Sequence, residues 1–384
     1  MIIFYHEMEG TSSGAAILIM NLIRGLVSKG HKVVLINFKK GVMHQQLSDI
    51  DESLFSVIDK NKESIKRFAA NVSRDDIIIT THFYSIFRLF KKANPKILFY
   101  CVGHIQLFEA NRFFKKINFL FLTRRLVNLL KSKKGVLFIE QNALKQSIKM
   151  LSLDPDGFPM LPIPIMTPDK NLYLGKKNSE GKDAIVFTYV GRAVDTKIFP
   201  VKKIINDILS LGPKKKVILQ IITDDACVFR AALPSFRSHR FEVLFQENFS
   251  PQKLDNFLLT NADIHFSQAT SALEGAKLGI PTVLVDFAFS EFPGGYRYKF
   301  IHQTDPAYIG TDVNEEKSFT GMTMSEIFET VCNGSQMSEL SVKCFEYVRT
   351  GHNVSIITSR LEQYITNCRS QLNLIKKYLI RYWF

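Results

Sequence analysis

Residues 267–286 read Ser267-Gln-Ala-Thr-Ser-Ala-Leu-Glu-Gly-Ala-Lys-Leu-Gly-Ile-Pro-Thr-Val-Leu-Val-Asp286, which predicts a loop, a helix, a tight turn and a strand. Ser271 and Glu274 have the spacing of a Ser-x-x-Glu capping box. Gly279 stands where a helix stop is expected, and Thr282-Val-Leu-Val-Asp286 is typical of a buried parallel strand. A helix N-terminus beside a sheet is a ready anion site, because its free N–H groups and positive dipole end face outward.

Strands and helices alternate in the first part of the chain. Ile2-Ile-Phe-Tyr5 predicts a short strand, and a polar loop containing Gly10 and Gly14 follows it. Residues 15–28 have helical spacing, and residues 32–38 predict the next strand, so this segment is a βαβ unit. Apolar runs continue the pattern, which indicates a parallel α/β domain; they cover residues 77–80, 96–102 and 135–139.

A second α/β region follows a segment rich in proline and glycine between residues 154 and 183, which predicts a linker or domain crossing. Strands are predicted at 184–190, 216–222, 241–245 and 263–266, with helices near Val201–Leu211 and Pro251–Thr260. From about Met324 to the end the pattern is helical.

Length, composition and charge narrow the class of protein. At 384 residues the chain is too long for one typical core, so two domains are expected. The net charge of +14 favours an anionic partner. The five cysteines include no CxxC pair, which disfavours a metal knuckle or a disulfide framework and favours a reducing compartment. The N-terminus does not have the pattern of a signal peptide, and no apolar run of about 18 residues predicts a transmembrane helix.

Two cations follow the first strand of the second region. Tyr189-Val-Gly-Arg-Ala-Val-Asp-Thr-Lys-Ile-Phe-Pro200 places Arg192 and Lys197 on the predicted connecting loop. Ligands of open α/β sheets bind at the carboxyl ends of strands, where two cations can clamp a diphosphate. The alternative is an ordinary solvated loop with surface cations.

The order of these segments resembles the donor-binding domain of GT-B glycosyltransferases, and it is most similar to the retaining family 4. That family shows Val-Gly-Arg-x4-Lys, a later "adi" strand, and Leu-Glu-Ala-x-Ala-x-Gly-x-Pro. This chain has Val190-Gly-Arg-x4-Lys197, Asn261-Ala-Asp-Ile-His-Phe-Ser267 and Leu273-Glu-Gly-Ala-Lys-Leu-Gly-Ile-Pro281. The resemblance covers roughly residues 186–286, and the first βαβ unit is similar to the start of the family's acceptor domain.

The resemblance implies an α/β GT-B fold with two Rossmann-like domains facing a cleft and a C-terminal helical tail. The implied N-terminal acceptor-side domain covers residues 1–165 and the linker covers 166–182. A nucleotide-sugar-binding domain would cover 183–345. The tail, residues 346–384, would pack back on the N-terminal domain.

The resemblance also implies roles for individual residues, which are as follows: Arg192, Lys197, Thr270, Ser271 and Gly14 would bind the donor diphosphate, Glu274 would bind the ribose, and His104 would contact the sugar. Glu7, in the first loop with His6 and Glu9, could be a general base in an inverting enzyme. Each assignment has a structural alternative. Glu274 could serve only as the capping partner of Ser271, His104 could be a core or strand-end histidine, and the first-loop residues could be solvated.

One position departs from the family pattern. The family carries a first glutamate eight residues before the second, against the transferred sugar, and this chain has Phe266 there. The segment between the two positions also looks shortened.

Two basic, aromatic segments could meet a membrane. Residues 111–134 contain eight cations and no acid, with Phe and Leu interleaved, and residues 373–384 form a second such segment. Both could lie on an anionic membrane surface, or the first could be a domain helix that packs its apolar face inward. No nucleic-acid module is present, so no nucleic-acid partner is expected.

Taken together, the sequence predicts a glycosyltransferase that moves a sugar from a nucleotide-diphosphate sugar to a glycan acceptor in cell-surface polysaccharide or lipopolysaccharide synthesis, and a lipid-linked acceptor is expected. The predicted enzyme is retaining and metal-independent, has no cofactor, and is cytoplasmic and peripheral on the inner face of the plasma membrane. The alternatives are a nucleotide-sugar epimerase or hydrolase of the same fold, and a non-catalytic basic protein that binds membrane or nucleic acid.

Overall fold

The computed structural model describes residues 1–6, 14–82, 86, 89–90, 93–103, 119–168, 183–233, 238–247, 249–315 and 318–383. The chain divides into two compact units, each with its own core. The first unit comprises Met1–Pro164 and Val354–Phe384, and the second comprises Ile165–Asn353. Most of the predicted linker, from residue 169 to its end at 182, lies outside the described residues.

The first unit contains a parallel six-stranded sheet in the order β3-β2-β1-β4-β5-β6. Its strands are β1 (Ile2–Tyr5), β2 (Val33–Asn37), β3 (Phe55–Asp59), β4 (Ile77–Thr80), β5 (Lys96–Cys101) and β6 (Val136–Phe138). Every residue of β1, β2, β4 and β6 is buried, as expected for parallel strands covered on both faces. The helices between the strands are α1 (Gly14–Ser28), α2 (Val42–Gln46), α3 (Lys62–Ala69), α4 (Phe119–Ser132) and α5 (Gln141–Leu151).

The second unit contains a sheet of similar design in the order β12-β11-β10-β7-β8-β9, parallel except for β12. Its strands are β7 (Ala184–Val190), β8 (Lys216–Ile222), β9 (Phe241–Gln246), β10 (Ile264–Ser267), β11 (Thr282–Leu284) and β12 (Lys299–Phe300). The helices are α6 (Asp195–Leu211), α7 (Ala226–Ala232), α8 (Pro251–Asn261), α9 (Ala269–Ala276), α10 (Met324–Cys332) and α11 (Gly334–Gly351).

The chain then returns to the first unit through α12 (Val354–Asn367) and α13 (Leu372–Trp383). The α12 helix packs closely on α1, because a Cβ atom at Gly25 would lie 2.2 Å from Oγ1 of Thr358. The α13 helix packs on α4. None of the helices in the described ranges combines the length and the hydropathy needed to cross a membrane.

Two predicted helix starts were wrong. The α6 helix begins at Asp195 rather than near Val201, so Lys197 lies in its first turn and not on a loop. The α9 helix begins at Ala269 after the extended residue Gln268. Ser271 is therefore inside the first turn, and the predicted capping box with Glu274 does not form. Gly279 does end the turn after α9, with a φ of +65°, as Gly commonly does after a helix.

The close approach of α9 to β10 depends on Gly275. A Cβ atom there would lie 2.3 Å from Cδ2 of His265. The imidazole of His265 is buried and cannot turn away freely, because Nδ1 lies 3.0 Å from Oγ1 of Thr188 and Nε2 lies 3.0 Å from the carbonyl oxygen of Ser271.

Replacing Gly275 by Ala is expected to lower the free energy of unfolding by about 1–3 kcal/mol, the usual cost of overpacking a core. Urea denaturation measures this change. Gly294→Ala is the control, because a Cβ at that exposed position meets nothing within 4 Å. Equal stability of the Gly275→Ala variant and the wild-type protein would show that the contact between α9 and β10 can relax without cost.

Candidate functional site

The strand order of the second unit has a switch point between β7 and β10. From β7 the chain proceeds to β8 on one side, whereas β10 lies on the other side. Open α/β sheets bind ligands outside the carboxyl ends of strands at such a switch point. The segment after β7 carries Arg192 and Lys197, and the segment after β10 is the N-terminus of α9.

Arg192 and Lys197 place positive charge at the end of β7. The Arg192 side chain is exposed, and Lys197 is half-buried in the first turn of α6. Burial and then the nearby Arg192 charge lower the pKa of Lys197 from 10.5 to about 8. The two cations are thus close enough to repel each other, which is the arrangement expected where an anion binds.

The N-terminus of α9 adds hydrogen-bond donors to the same place. Ala269 adopts a left-handed conformation with a φ of +49°, and its N–H donates to the carbonyl oxygen of Ile309 at 3.2 Å. Within the described part of the chain, the N–H groups of Thr270 and Ser271 have no acceptor, and their hydroxyl groups are half-buried without a partner. A non-glycine residue in the left-handed region is strained, and such strain clusters at functional sites.

Gln268 joins these two segments, although it belongs to no motif that was recognised in the sequence. Its Oε1 accepts a hydrogen bond from the Lys197 ammonium, and its Nε2 donates to the carbonyl oxygen of Asp286 at 2.8 Å. Nε2 also lies 3.5 Å from the carbonyl oxygen of Thr196. Pro200 has no N–H to donate to the carbonyl oxygen of Thr196 within α6. The proline was therefore a signal in the sequence that this carbonyl oxygen needs another donor.

Glu274 lies one turn further along α9. Its carboxylate forms an ion pair with Lys277, whose ammonium also lies 3.0 Å from Oδ2 of Asp255 in α8. Burial raises the pKa of Glu274, and the Lys277 charge opposes that rise. The ribose-binding role of Glu274 remains a prediction, and the carboxylate is held in place by a cation instead of by Ser271.

Phe266 occupies a core position. It is fully buried in β10, and its ring centroid lies 5.3 Å from that of Phe187 and 5.9 Å from that of Tyr298. A carboxylate at this position would therefore lie within the core and not against a sugar.

The structure describes only some of the site residues that were predicted in the first unit. Gly14 is exposed at the start of α1, while Glu7 and His104 lie outside the described residues. His6 is fully buried after β1, with Nδ1 3.0 Å from Oγ1 of Thr81. Since β1 and β4 are neighbours at the switch point of this sheet, His6 is at the sheet edge where ligands bind.

Glu140 is a further carboxyl group at this edge, and sequence reasoning did not select it. It follows β6 as the N-cap residue of α5 but makes no capping hydrogen bond, and its Oε2 is buried without a hydrogen-bond partner among the described residues. Burial raises its pKa to about 8.

Comparison with known proteins identifies the fold. Neither a protein-family model nor a curated protein sequence matches the chain. One similar structure is HepE from Anabaena with UDP-glucose, at 12% identity and a TM-score of 0.56 over 95% of this chain and 99% of that chain. A glycosyltransferase from Rickettsia africae has 12% identity and a TM-score of 0.58 over 96% of this chain and 99% of that chain. A TarM variant from S. aureus with fondaparinux, α-GlcNAc-glycerol and UDP has 10% identity and a TM-score of 0.58 over 95% of this chain and 100% of that chain. The chain has the GT-B fold of glycosyltransferases, with two Rossmann-like units and C-terminal helices, and the predicted fold class is confirmed.

The lowered pKa of Lys197 predicts a pH-dependent effect on stability. Below pH 8 this lysine is charged in the folded and unfolded chain, so the cost of burying its charge is complete. The cost falls as the pH rises from about 8 to 10.5, where the unfolded lysine also loses its proton. Lys197→Met should therefore stabilise the protein at pH 7, by at most about 3 kcal/mol, and this gain should shrink towards pH 10.5.

Chemical denaturation between pH 7 and pH 10.5 measures the gain. Lys214→Met is the control, because Lys214 is exposed on the same unit. A gain that stays constant over this pH range would contradict the assignment of a lowered pKa to the half-buried Lys197.

Proposed function

We propose that this protein is a glycosyltransferase that moves a sugar from a nucleotide-diphosphate sugar to a glycan acceptor. The observation that carries the proposal is the gathering of Arg192, the Lys197 ammonium and the free N–H groups of Thr270 and Ser271 at the β7–β10 switch point. Guanidinium, ammonium and helix N-terminal N–H groups are the donors that bind phosphate oxygens.

These groups would stabilise the leaving diphosphate. Negative charge develops on the diphosphate as the bond to the sugar breaks, and fixed donors aimed at that charge lower the barrier without reorganising. Arg192 would supply bidentate contacts and Lys197 a point charge. With this charge supplied by side chains, we propose a metal-independent reaction without a cofactor. In its retaining form the acceptor oxygen bonds to the anomeric carbon on the face from which the diphosphate leaves; the bond between that carbon and the diphosphate oxygen breaks, and the hydroxyl proton passes to the leaving diphosphate.

Uridine is the first nucleotide to test, because the HepE and TarM structures contain UDP-glucose and UDP. Glu274 would accept hydrogen bonds from the ribose hydroxyls. Its ion pair with Lys277 favours the ionised carboxylate, which is the better acceptor.

A lipid-linked glycan is the proposed acceptor, in cell-surface polysaccharide or lipopolysaccharide synthesis on the cytoplasmic face of the plasma membrane. Support comes from α4 and α13, which pack together. The α4 helix covers residues 119–132 of the first basic segment and α13 covers residues 373–383 of the second, while residues 111–118 lie outside the described residues. Phe121 on α4 is 54% exposed, and the Arg125 guanidinium lies 4.4 Å from its ring centroid. An exposed aromatic ring beside a cation suits the interface of an anionic membrane.

Arg192→Ala and Lys197→Ala are each expected to weaken the binding of UDP by about 10- to 100-fold, the value of a charge-assisted hydrogen bond. Isothermal titration calorimetry measures this, with GDP and ADP as alternatives if UDP binds less tightly. Arg240→Ala is the control, because Arg240 is an exposed arginine of the same unit. Unchanged nucleotide binding and unchanged sugar transfer in both variants would refute the proposal.

Incubating the wild-type protein with donor alone separates transfer from epimerisation or hydrolysis, since only epimerisation and hydrolysis consume the donor without an acceptor.

Phe121→Ser is expected to reduce binding to vesicles that contain phosphatidylglycerol by about tenfold, because burying a phenylalanine contributes roughly 1.5–3 kcal/mol. Co-sedimentation with the vesicles measures binding. Phe289→Ser is the matched control, since Phe289 is 63% exposed but belongs to the second unit. Equal losses in both variants would mean that α4 has no special part in membrane binding.

A further inference from the structure

Gln268 is fixed at both ends of its amide group. The residue is only 4% exposed. Its Nε2 donates to the carbonyl oxygen of Asp286 at 2.8 Å, so Oε1 is the end that faces the Lys197 ammonium. A terminal amide held in this way has one orientation, and a lysine bonded to it has fewer positions to sample.

The anchor of Gln268 is itself firmly held. Oδ1 of Asp286 accepts hydrogen bonds from the Tyr308 hydroxyl at 2.7 Å and from the Thr311 N–H at 2.8 Å. The Tyr296 hydroxyl lies 3.3 Å from Oδ2 and 3.1 Å from the Asp286 backbone nitrogen. A buried carboxylate with several donors is rigid, and therefore the Asp286 carbonyl oxygen offers Gln268 a fixed acceptor.

An amide oxygen holds an ammonium without cancelling its charge. A carboxylate in the same place would neutralise Lys197 and reduce its attraction for an anion. Among the described residues, none of the ion pairs involves Lys197, and the charged group that shifts its pKa is Arg192, a second cation. The positive charge therefore remains available to a ligand, at the cost of partly burying a charged lysine beside Arg192.

We propose that Gln268 is a positioning residue for donor binding: it directs the Lys197 ammonium towards the diphosphate and, being neutral, leaves the full charge of that lysine for the ligand. This inference rests on the proposed function, since it concerns the same diphosphate site. It adds a residue that touches the donor only through Lys197.

The test compares a charged and an uncharged replacement. Gln268→Glu keeps the shape but introduces a carboxylate and loses the N–H that donates to the Asp286 carbonyl oxygen, and we expect it to weaken UDP binding by about 10- to 100-fold. Gln268→Met removes both hydrogen bonds without adding charge, and we expect a smaller loss of about 3- to 10-fold. Binding of uridine, which has no phosphate, should be equal in all three proteins. Gln252→Glu, at an exposed position on α8, controls for the added negative charge.

A pH profile separates positioning from a general structural defect. In the wild-type protein UDP affinity should fall as the pH passes about 8, where Lys197 loses its proton. A carboxylate at position 268 favours the charged form of Lys197, so the UDP affinity of Gln268→Glu should fall at a higher pH than that of the wild-type protein. Arg192 is the other charged group that faces Lys197 in both proteins. Thermal unfolding of each variant verifies that it is folded.

The possible failures are distinguishable. If Gln268→Glu binds UDP as tightly as Gln252→Glu and the wild-type protein, while Lys197→Ala still binds weakly, the role of Gln268 is refuted and the proposed function stands. If Gln268→Glu and Gln268→Met lose uridine and UDP binding equally, Gln268 is only structural. If the wild-type protein binds none of UDP, GDP and ADP, the proposed function fails together with the inference.

Discussion

A lysine ammonium held by an amide instead of a carboxylate is the interaction on which the candidate donor site depends. The contact between Lys197 and Gln268 connects the first turn of α6 to the junction of β10 and α9. It keeps positive charge beside the free N–H groups of Thr270 and Ser271. Both segments are energetically costly, because the pKa of Lys197 is lowered and Ala269 adopts a left-handed conformation. Unfavourable features of this kind are retained mainly at functional sites.

The two units use their sheets in the same way. In each, the strand order reverses beside the first strand, and polar side chains meet at that point. In the second unit these are the cations after β7 and the donors of α9. In the first unit His6 and Thr81 meet after β1 and β4. Glu140, with its raised pKa, lies after β6 at the same edge. A sheet with this topology brings polar side chains together at the carboxyl ends of its strands, independently of the substrate.

The sequence pattern was sufficient to predict parallel α/β architecture, because buried parallel strands appear as continuous apolar runs and short Gly or Pro segments separate them. The GT-B fold was predicted from the resemblance to family 4. The sequence pattern did not show where α6 starts: a helix was expected near Val201–Leu211, whereas α6 begins at Asp195 and continues through Pro200. The capping-box prediction failed because Ser271 and Glu274 match the motif only if Ser271 is the N-cap residue, whereas the N-cap residue of α9 is Gln268. Contacts between distant segments, such as those of Gln268, leave no local pattern to detect.

A crystal structure of the full chain with UDP bound tests the proposed donor site most directly. We predict phosphate oxygens within about 3 Å of the Thr270 or Ser271 backbone nitrogen and of Lys197 Nζ, with Gln268 still bonded to that lysine. A diphosphate located elsewhere, with Lys197 and the N-terminus of α9 empty of ligand contacts, would contradict it.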